Sequence, residues 1–150
     1  LPLDRLGLTG ARVRAALEWE VSEVTDPTTG ERRRISGQDP FDGEISFTQD
    51  VPRWNLQWGG NAYLDAFERD FGFDTIETVE VEPWYNLFAE WRYRPNLSIR
   101  AELQNLSGRN LIISREVYSG PRDTSAVDFR EVRNLNFDPF IYVRIRRTWG

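Results

Sequence analysis

Cysteine, histidine, methionine and lysine are all absent from this 150-residue sequence. Without cysteine the chain has no disulfides and no thiolate metal sites, which fits an oxidising compartment. Without histidine it also lacks the catalytic triads built on that residue and the usual zinc and copper sites. We therefore predict neither a bound metal nor a cofactor. We also expect the sequence, which has no initiator methionine, to be a piece of a longer or processed chain.

The charge balance argues against a nucleic-acid-binding protein, and the short hydrophobic runs argue against membrane-spanning helices. The 19 basic residues, all arginine, are outnumbered by 24 acidic residues, and the net charge is -5. Phosphate neutralisation needs a concentrated basic surface, so nucleic acid is not a predicted partner. The longest apolar run is far below the roughly 20 residues that a membrane-spanning helix needs. That test does not detect strands that expose an apolar residue only at every second position.

Alternation of apolar and polar residues predicts six long strands and no helix of useful length. The apolar positions carry odd numbers before the turn near Arg53 and even numbers in the strand from Leu56 that follows it, as a reversal of chain direction allows. The predicted strands cover Ala11–Val21, Glu44–Val51, Leu56–Arg69, Trp84–Arg94, Leu97–Tyr118 with a bulge or kink within Asn105–Asn110, and Leu135–Gly150.

The connections between these strands alternate between long and short. Asp26–Gly43, Asp70–Pro83 and Ser119 to about Arg133 are long and rich in turn residues, and the second of them can extend its flanking strands as a ribbon. Pro52-Arg53 and Pro95-Asn96 are tight turns. Because antiparallel strands alternate in direction, both short turns are expected at one rim of the sheet and all long loops at the other.

The predicted fold class is all-β, an antiparallel up-and-down meander of about six long strands that forms part of a transmembrane β-barrel. Short turns on one rim and long loops on the other are typical of bacterial outer-membrane barrels. Aromatic rings favour the lipid–water boundary, and four are predicted there, at the short-turn rim: Trp58, Trp91, Tyr93 and Trp149. The alternative is a soluble β-sandwich or small-barrel binding module, because its strands also have one apolar and one polar face.

Six short motifs, in this order, resemble the C-terminal part of TonB-dependent outer-membrane receptors. They are Leu6–Ala11, Asp26–Arg33, Gln49–Pro52, Asn105-Leu106, Tyr118–Arg122 and Val143–Trp149. The resemblance implies residues 1–150 are the C-terminal part of a barrel of roughly 22 strands, without its plug domain. The function implied is uptake of a scarce ligand, such as a siderophore, vitamin B12 or an oligosaccharide, at the bacterial outer membrane.

The resemblance also implies partners. These are outer-membrane lipid, the missing barrel strands and plug of the full-length chain, the barrel-assembly machinery, and the energy-coupling protein TonB through the absent plug. Tyr142, Ile145 and Trp149 would form the insertion signal that the assembly machinery reads. That signal usually ends in an aromatic residue, whereas this chain ends in Gly150, so Trp149 is expected to serve.

The long loops contain the candidate ligand-binding residues. Three arginines can grip the phosphates of lipopolysaccharide or another anionic ligand, and three aromatic residues can stack on a sugar or an aromatic ligand. The alternative for the arginines is a solvated loop, and for the aromatic residues it is packing of one loop against another. The six residues are Arg32, Arg33, Arg34, Phe71, Phe73 and Tyr118.

An enzymatic function is not predicted. Glu90 and Glu102 lie on the same polar face of adjacent predicted strands, and a pair of carboxylates can hydrolyse glycosides. Arginine neighbours are available to pair with each of them, however, and no pocket signature flanks them. The sequence therefore supports no catalytic residue.

Overall fold

The computed structural model describes residues 1–149, which form twelve β-strands, two 3-10 helices and no α-helix. The strands are β1 (Ala11–Trp19), β2 (Val24–Thr25), β3 (Arg32–Arg33), β4 (Phe41–Val51), β5 (Leu56–Tyr63), β6 (Ala66–Phe71), β7 (Thr75–Val81), β8 (Trp84–Arg94), β9 (Leu97–Gln104), β10 (Asn110–Tyr118), β11 (Val127–Asn136) and β12 (Phe140–Arg147). The 3-10 helices are Asp4–Leu6 and Pro52–Trp54. Neither of these short helices could span a membrane.

The strands form one antiparallel meander with an extension. The main sheet has the order β1-β4-β5-β8-β9-β12, a four-stranded sheet has the order β11-β10-β7-β6, and β2 and β3 form a small hairpin. In the second sheet, β6, β7, β10 and β11 extend β5, β8, β9 and β12, respectively. These extensions pair with one another in the same order as the strands of the main sheet. The all-β meander of six long strands is therefore confirmed. The predicted ribbon in Asp70–Pro83 is also present, as the end of β6 and all of β7. Within residues 1–149 the strands do not close into a barrel, because β1 and β12 are the edges of the main sheet.

The structure corrects the predicted bounds of the two strands that flank the first long loop. β1 ends at Trp19 rather than Val21, and β4 begins at Phe41 rather than Glu44. The register pairs Trp19 with Phe41, and their ring centroids lie 5.2 Å apart. Contact between two cross-strand aromatic rings stabilises a sheet. This pair accounts for the earlier start of β4 within the polar segment.

The last strand is also interrupted. The predicted strand Leu135–Gly150 is divided by residues 137–139 into the end of β11 and all of β12. Pro139 has no N–H to donate to a ladder, so the proline accounts for the break. β11 starts at Val127, where the sequence pattern predicts a loop, because it pairs with β10 over nearly its whole length. Gly150, the last residue of that predicted strand, lies outside the described residues.

The predicted kink after β9 is confirmed and is held by one buried side chain. Asn105 has a left-handed backbone with φ of 55°, and Gly108 follows with φ of 63°. The Asn105 side chain accepts a hydrogen bond from the Arg109 amide at 3.0 Å and donates one to the carbonyl oxygen of Phe137. This asparagine therefore joins the break between β9 and β10 to the break between β11 and β12.

The two short turns lie at one rim of the main sheet, as predicted. The amide of Arg92 donates to the carbonyl of Asn55 at 2.8 Å, so the turn after β4 lies beside the end of β8. The amide of Thr148 donates to the carbonyl of Asn96 at 2.9 Å, which places the end of β12 beside the turn between β8 and β9. We call this edge the short-turn rim.

The main sheet has an apolar face and a polar face, and in its central strands β8 and β9 the apolar face is the more exposed of the two. From Trp84 to Trp91 partly buried and exposed residues alternate, and the exposed ones are Tyr85, Leu87, Ala89 and Trp91. Leu87 and Leu103, which pair on the apolar face, are 47% and 39% exposed. The side chain of Glu90 on the polar face is only 23% exposed. This is the reverse of a soluble sheet, which turns its apolar face towards a core.

No hydrophobic core is formed by residues 1–149. Ala11 is the only buried apolar residue among them. The accessible surface is 10734 Å². A folded monomer of this mass exposes about 7,900 Å² by the usual scaling of surface with mass. The apolar face therefore lacks its natural contact partner in the described chain.

Close packing on the polar face leads to the first prediction. Gly59 of β5 pairs with Phe88 of β8, and a Cβ atom at Gly59 would overlap the carbonyl oxygen of Phe47 and lie 3.0 Å from the Phe88 ring. We expect Gly59→Ala to lower the free energy of unfolding by about 1–3 kcal/mol, because the added methyl group forces the strands apart. Denaturant unfolding measures this value. Ala101→Val is the control at an exposed position, with an expected change within about 0.5 kcal/mol. Equal effects of the two variants would contradict the prediction.

Candidate functional site

The candidate site lies among the long loops and is built around Asp26. This residue ends the β2 side of the small hairpin and is 1% exposed. Its Oδ1 atom accepts hydrogen bonds from the amides of Thr28 at 2.8 Å and Thr29 at 3.1 Å. The Asp-Pro-Thr-Thr-Gly sequence favours this turn, because an aspartate side chain can accept from the backbone two residues on and Gly30 takes the left-handed conformation.

Two arginines share the other oxygen of the same carboxylate. Asp26 Oδ2 lies 2.5 Å from Arg33 Nε and 2.5 Å from Arg122 Nη2. Arg122 Nε also donates to the carbonyl of Gly72 at 2.6 Å. Asp26 and Arg122 are 96 residues apart in the chain. We call Asp26, Arg33 and Arg122 the loop clamp, because they fasten the β2–β3 hairpin, the β6–β7 turn and the β10–β11 loop together.

Asp26 supplies the negative charge of the loop clamp at neutral pH. Burial opposes the charged form of Asp26, but the guanidinium groups of Arg122 and Arg33 and the amides of Thr28 and Thr29 outweigh it. Together they hold the pKa of the Asp26 carboxyl well below its ordinary value. The two guanidinium groups also lie over one aromatic ring, with Arg33 Cζ 4.5 Å and Arg122 Cζ 5.5 Å from the centroid of Phe71. The clamp therefore combines charge pairing with cation–π contact.

A cleft of about 540 Å³ lies beside the loop clamp, between the same three loops. Phe73 is 62% exposed and presents an aromatic surface there. The cleft also contains two prolines, one carboxylate and two threonine hydroxyls. Stacking surfaces with a few polar groups suit a ring-shaped polar ligand such as a sugar. The lining residues are Pro27, Thr28, Phe71, Gly72, Phe73, Pro121, Asp123 and Thr124.

A second groove, of about 390 Å³, shares Phe71 with the cleft. The backbone of residues 36–39 runs along the free edge of β6, where the Phe71 amide donates to Ser36 Oγ at 3.0 Å and the Phe67 amide donates to Asp39 Oδ2 at 3.2 Å. Gln38 lines this groove, and its buried Oε1 atom accepts no hydrogen bond from residues 1–149. An acceptor of this kind suits a ligand with a hydrogen-bond donor.

The structure brings together some of the predicted loop residues and separates others. Phe71 and Phe73 line the cleft, Arg33 lies in the clamp below it, and Arg34 lines the second groove. Arg32 instead forms an exposed ion pair with Glu23 at 2.5 Å. The hydroxyl of Tyr118 lies 3.3 Å from Glu116 Oε2, and Tyr118 does not line the cleft. The three adjacent arginines thus do not form one cationic surface, and a ligand role for each residue stays a prediction.

Sequence reasoning missed Asp26 and Arg122 as site residues. Both lie within the motifs quoted above, but each was assigned only to a turn or a loop. A buried aspartate in a polar loop requires a cationic partner. The sequence does not show which of the 19 arginines supplies it.

The predicted interface aromatics lie on the apolar face near the short-turn rim. Trp58, Trp91, Tyr93 and Trp149 are all exposed. Trp91 and Tyr93 pack edge to face with centroids 5.1 Å apart, and Arg147 Cζ lies 3.7 Å from the Trp149 ring centroid. Of the other predicted insertion residues, Ile145 lies on the apolar face and Tyr142, which pairs with Glu102, on the polar face. At the far end of the apolar face lies a further aromatic pair, Trp19–Phe41, which was not predicted from the sequence.

The two carboxylates considered for catalysis share one arginine. Arg100 Nε lies 2.5 Å from Glu102 Oε1, and Arg100 Nη1 lies 3.6 Å from Glu90 Oε2. The predicted pairing of these carboxylates with arginine is confirmed. Arg100 thus joins both carboxylates in one ion-pair network on the polar face.

Comparison of the chain with protein-family models, with curated proteins and with solved structures finds no match.

Proposed function

We propose that this chain forms the C-terminal strands of a TonB-dependent receptor of the bacterial outer membrane that takes up a scarce ligand. The observation that carries the proposal is the reversed burial of the central strands β8 and β9, whose apolar face is exposed while their charged face is shielded. A membrane barrel needs this arrangement, because its outer surface contacts lipid and its interior is polar.

The height of the apolar face supports a membrane location. Alternation carried from β8 through Pro83 into β7 places only uncharged residues on this face between Trp91 and Val81. Ten steps of about 3.3 Å give about 33 Å of strand, or roughly 23 Å of height at a tilt near 45°. The next row on this face is charged, because Glu68 pairs with Val79 and Arg133 pairs with Ile113. The height is close to the apolar band of about 25 Å that outer-membrane barrels present to lipid.

The free edges of the main sheet support the presence of further strands. Residues Leu1–Leu3 already lie along the outer edge of β1, where the Leu3 amide donates to Ala11 and the Val13 amide to Leu1, both at 2.9 Å. A strand entering from this side would continue the meander. Further strands between β1 and β12 would satisfy both edges, which otherwise favour aggregation.

The loop cleft supports a receptor role. It lies at the rim opposite the short turns, which is the extracellular rim in the proposed orientation. Its aromatic surface and polar groups suit an oligosaccharide, while siderophores and vitamin B12 remain the other members of the proposed ligand class. Uptake would need the plug and TonB in addition to these strands.

The full-length protein tests this proposal. We expect it in the outer-membrane fraction, migrating differently on gels before and after boiling, because membrane barrels resist unfolding by detergent at room temperature. A full-length product that is soluble and monomeric without detergent would contradict the proposal and favour a soluble β-sandwich or small barrel.

A further inference from the structure

A small polar pocket on the polar face at the short-turn rim has no role in the function proposed above. Its volume is about 210 Å³. Register places Arg92 of β8 and Arg146 of β12 on either side of Ser98 in one row across three strands. The pocket is lined by Glu90, Arg92, Arg94, Pro95, Asn96, Leu97, Ser98, Arg146 and Thr148.

The pocket carries excess positive charge. Within residues 1–149, none of the guanidinium groups of Arg92, Arg94 and Arg146 lies within 4.0 Å of a carboxylate oxygen. The one lining carboxylate, Glu90, is engaged by Arg100 at 3.6 Å. Three arginines and one glutamate leave the lining with a net charge of +2. This excess is notable in a chain whose net charge is -5.

The geometry lets two guanidinium groups converge on one anion. Neighbouring strands are about 4.8 Å apart, so the backbones of Arg92 and Arg146 are roughly 10 Å apart across Ser98. Long arginine side chains can close that distance and present paired N–H donors to an oxyanion. The hydroxyls of Ser98 and Thr148 add neutral donors to the lining. Arg94 stays at the rim, with its Cζ atom 5.2 Å from the centroid of Tyr93.

We propose that this pocket binds a phosphate group of a water-soluble ligand. A phosphate dianion balances the net charge of the lining and offers enough oxygens for several arginine donors, whereas a single carboxylate does neither. The position on the polar face separates the pocket from the apolar face, so the proposed source is soluble phosphate or a phosphomonoester rather than a lipid headgroup. The proposal does not depend on a membrane location.

Calorimetric titration of the full-length protein with inorganic phosphate tests the proposal, in detergent micelles or in plain buffer according to its solubility. At pH 8 and fixed salt we expect saturable binding, with acetate at least about tenfold weaker because it carries a single charge. Arg92→Gln and Arg146→Gln should each weaken phosphate binding about tenfold or more, and Arg92→Lys by less. The control is Arg53→Gln, an exposed arginine of the other short turn, which should leave binding unchanged.

Three outcomes of the titration would overturn the proposal. They are the absence of saturable phosphate binding, equal binding of acetate and phosphate, and binding that none of the pocket variants weakens. Vesicles containing phosphatidylglycerol distinguish the two sources of phosphate, and binding to them without binding of inorganic phosphate would also overturn it. Circular dichroism of each variant separates loss of the site from loss of the fold. These readouts are independent of the outer-membrane fractionation that tests the proposed function.

Discussion

Replacement of Asp26 by asparagine is expected to release the three long loops from one another. The substitution keeps the size of the side chain and an oxygen for the amides of Thr28 and Thr29, but removes the charge that Arg33 and Arg122 share. The side chain of Arg122 is only 6% exposed, so its charge would be left buried without a carboxylate partner. Removing one partner of a buried ion pair costs about 3–5 kcal/mol, which we expect to appear as a loss of loop docking.

Trypsin cleavage and hydrogen exchange of the full-length protein measure this release. In Asp26→Asn we expect faster cleavage after Arg33 and Arg122 and faster exchange around Gly72. The matched control is Glu23→Gln, because Glu23 and Arg32 form an ion pair with the same 2.5 Å separation in an exposed position. Exposed pairs contribute at most about 1 kcal/mol, so the control should resemble the unmodified protein. Equal protease sensitivity of both variants would show that the clamp does not hold the loops.

The clamp also predicts how loop docking depends on pH. Because the pKa of Asp26 is lowered in the folded protein, its stabilising effect is complete above the ordinary carboxyl pKa, near 4. The effect is lost progressively as the pH falls below that value towards the lowered pKa. We therefore expect protease-resistant loops at pH 6 and exposed loops only in strong acid, and Asp26→Asn should abolish this dependence. A protease that is active at both pH values, applied to the same preparations, measures the exposure of the loops.

The strands were predictable wherever alternation alone decides the structure. The predicted strand Trp84–Arg94 has the same bounds as β8, and the next predicted strand begins at Leu97, as β9 does. Both agree because every second residue of these strands is apolar and a tight Pro-Asn turn separates them. The confirmed kink at Asn105–Asn110 follows from the same kind of local signal, since asparagine and glycine tolerate a left-handed backbone. Local sequence therefore determines the course of the meander.

Features that depend on distant partners were not predictable. β11 forms because it pairs with β10, and its own sequence does not alternate regularly between apolar and polar residues. Its first residues therefore resemble a loop in sequence. The loop clamp joins residues 26 and 122, and no local pattern indicates which arginine approaches Asp26. The phosphate pocket has the same origin, because Arg92 and Arg146 become neighbours only when β9 lies between their strands.

Substitution of Leu87 by arginine separates a lipid-facing sheet from a soluble one. Leu87 lies on the apolar face, 47% exposed, in a row with Gly60 and Leu103. An arginine facing lipid near the bilayer midplane costs about 2–4 kcal/mol of folding free energy. At an exposed position of a soluble protein the same change usually costs no more than about 0.5 kcal/mol. We therefore expect a large loss of stability for the full-length protein refolded in lipid vesicles.

Two further variants isolate the effect of the charge in lipid. Leu87→Ala removes the packing of Leu87 over Gly60 without adding charge, so the difference between the two Leu87 variants reports the cost of placing arginine in lipid. Asn61→Arg adds the same charge on the polar face, where Asn61 pairs with Ser46 and Asn86, and should be tolerated because the polar interior of a membrane barrel accommodates charge. Denaturant unfolding gives all three values. If Leu87→Arg and Leu87→Ala differ by less than about 0.5 kcal/mol, the apolar face does not contact lipid and must be covered by protein instead.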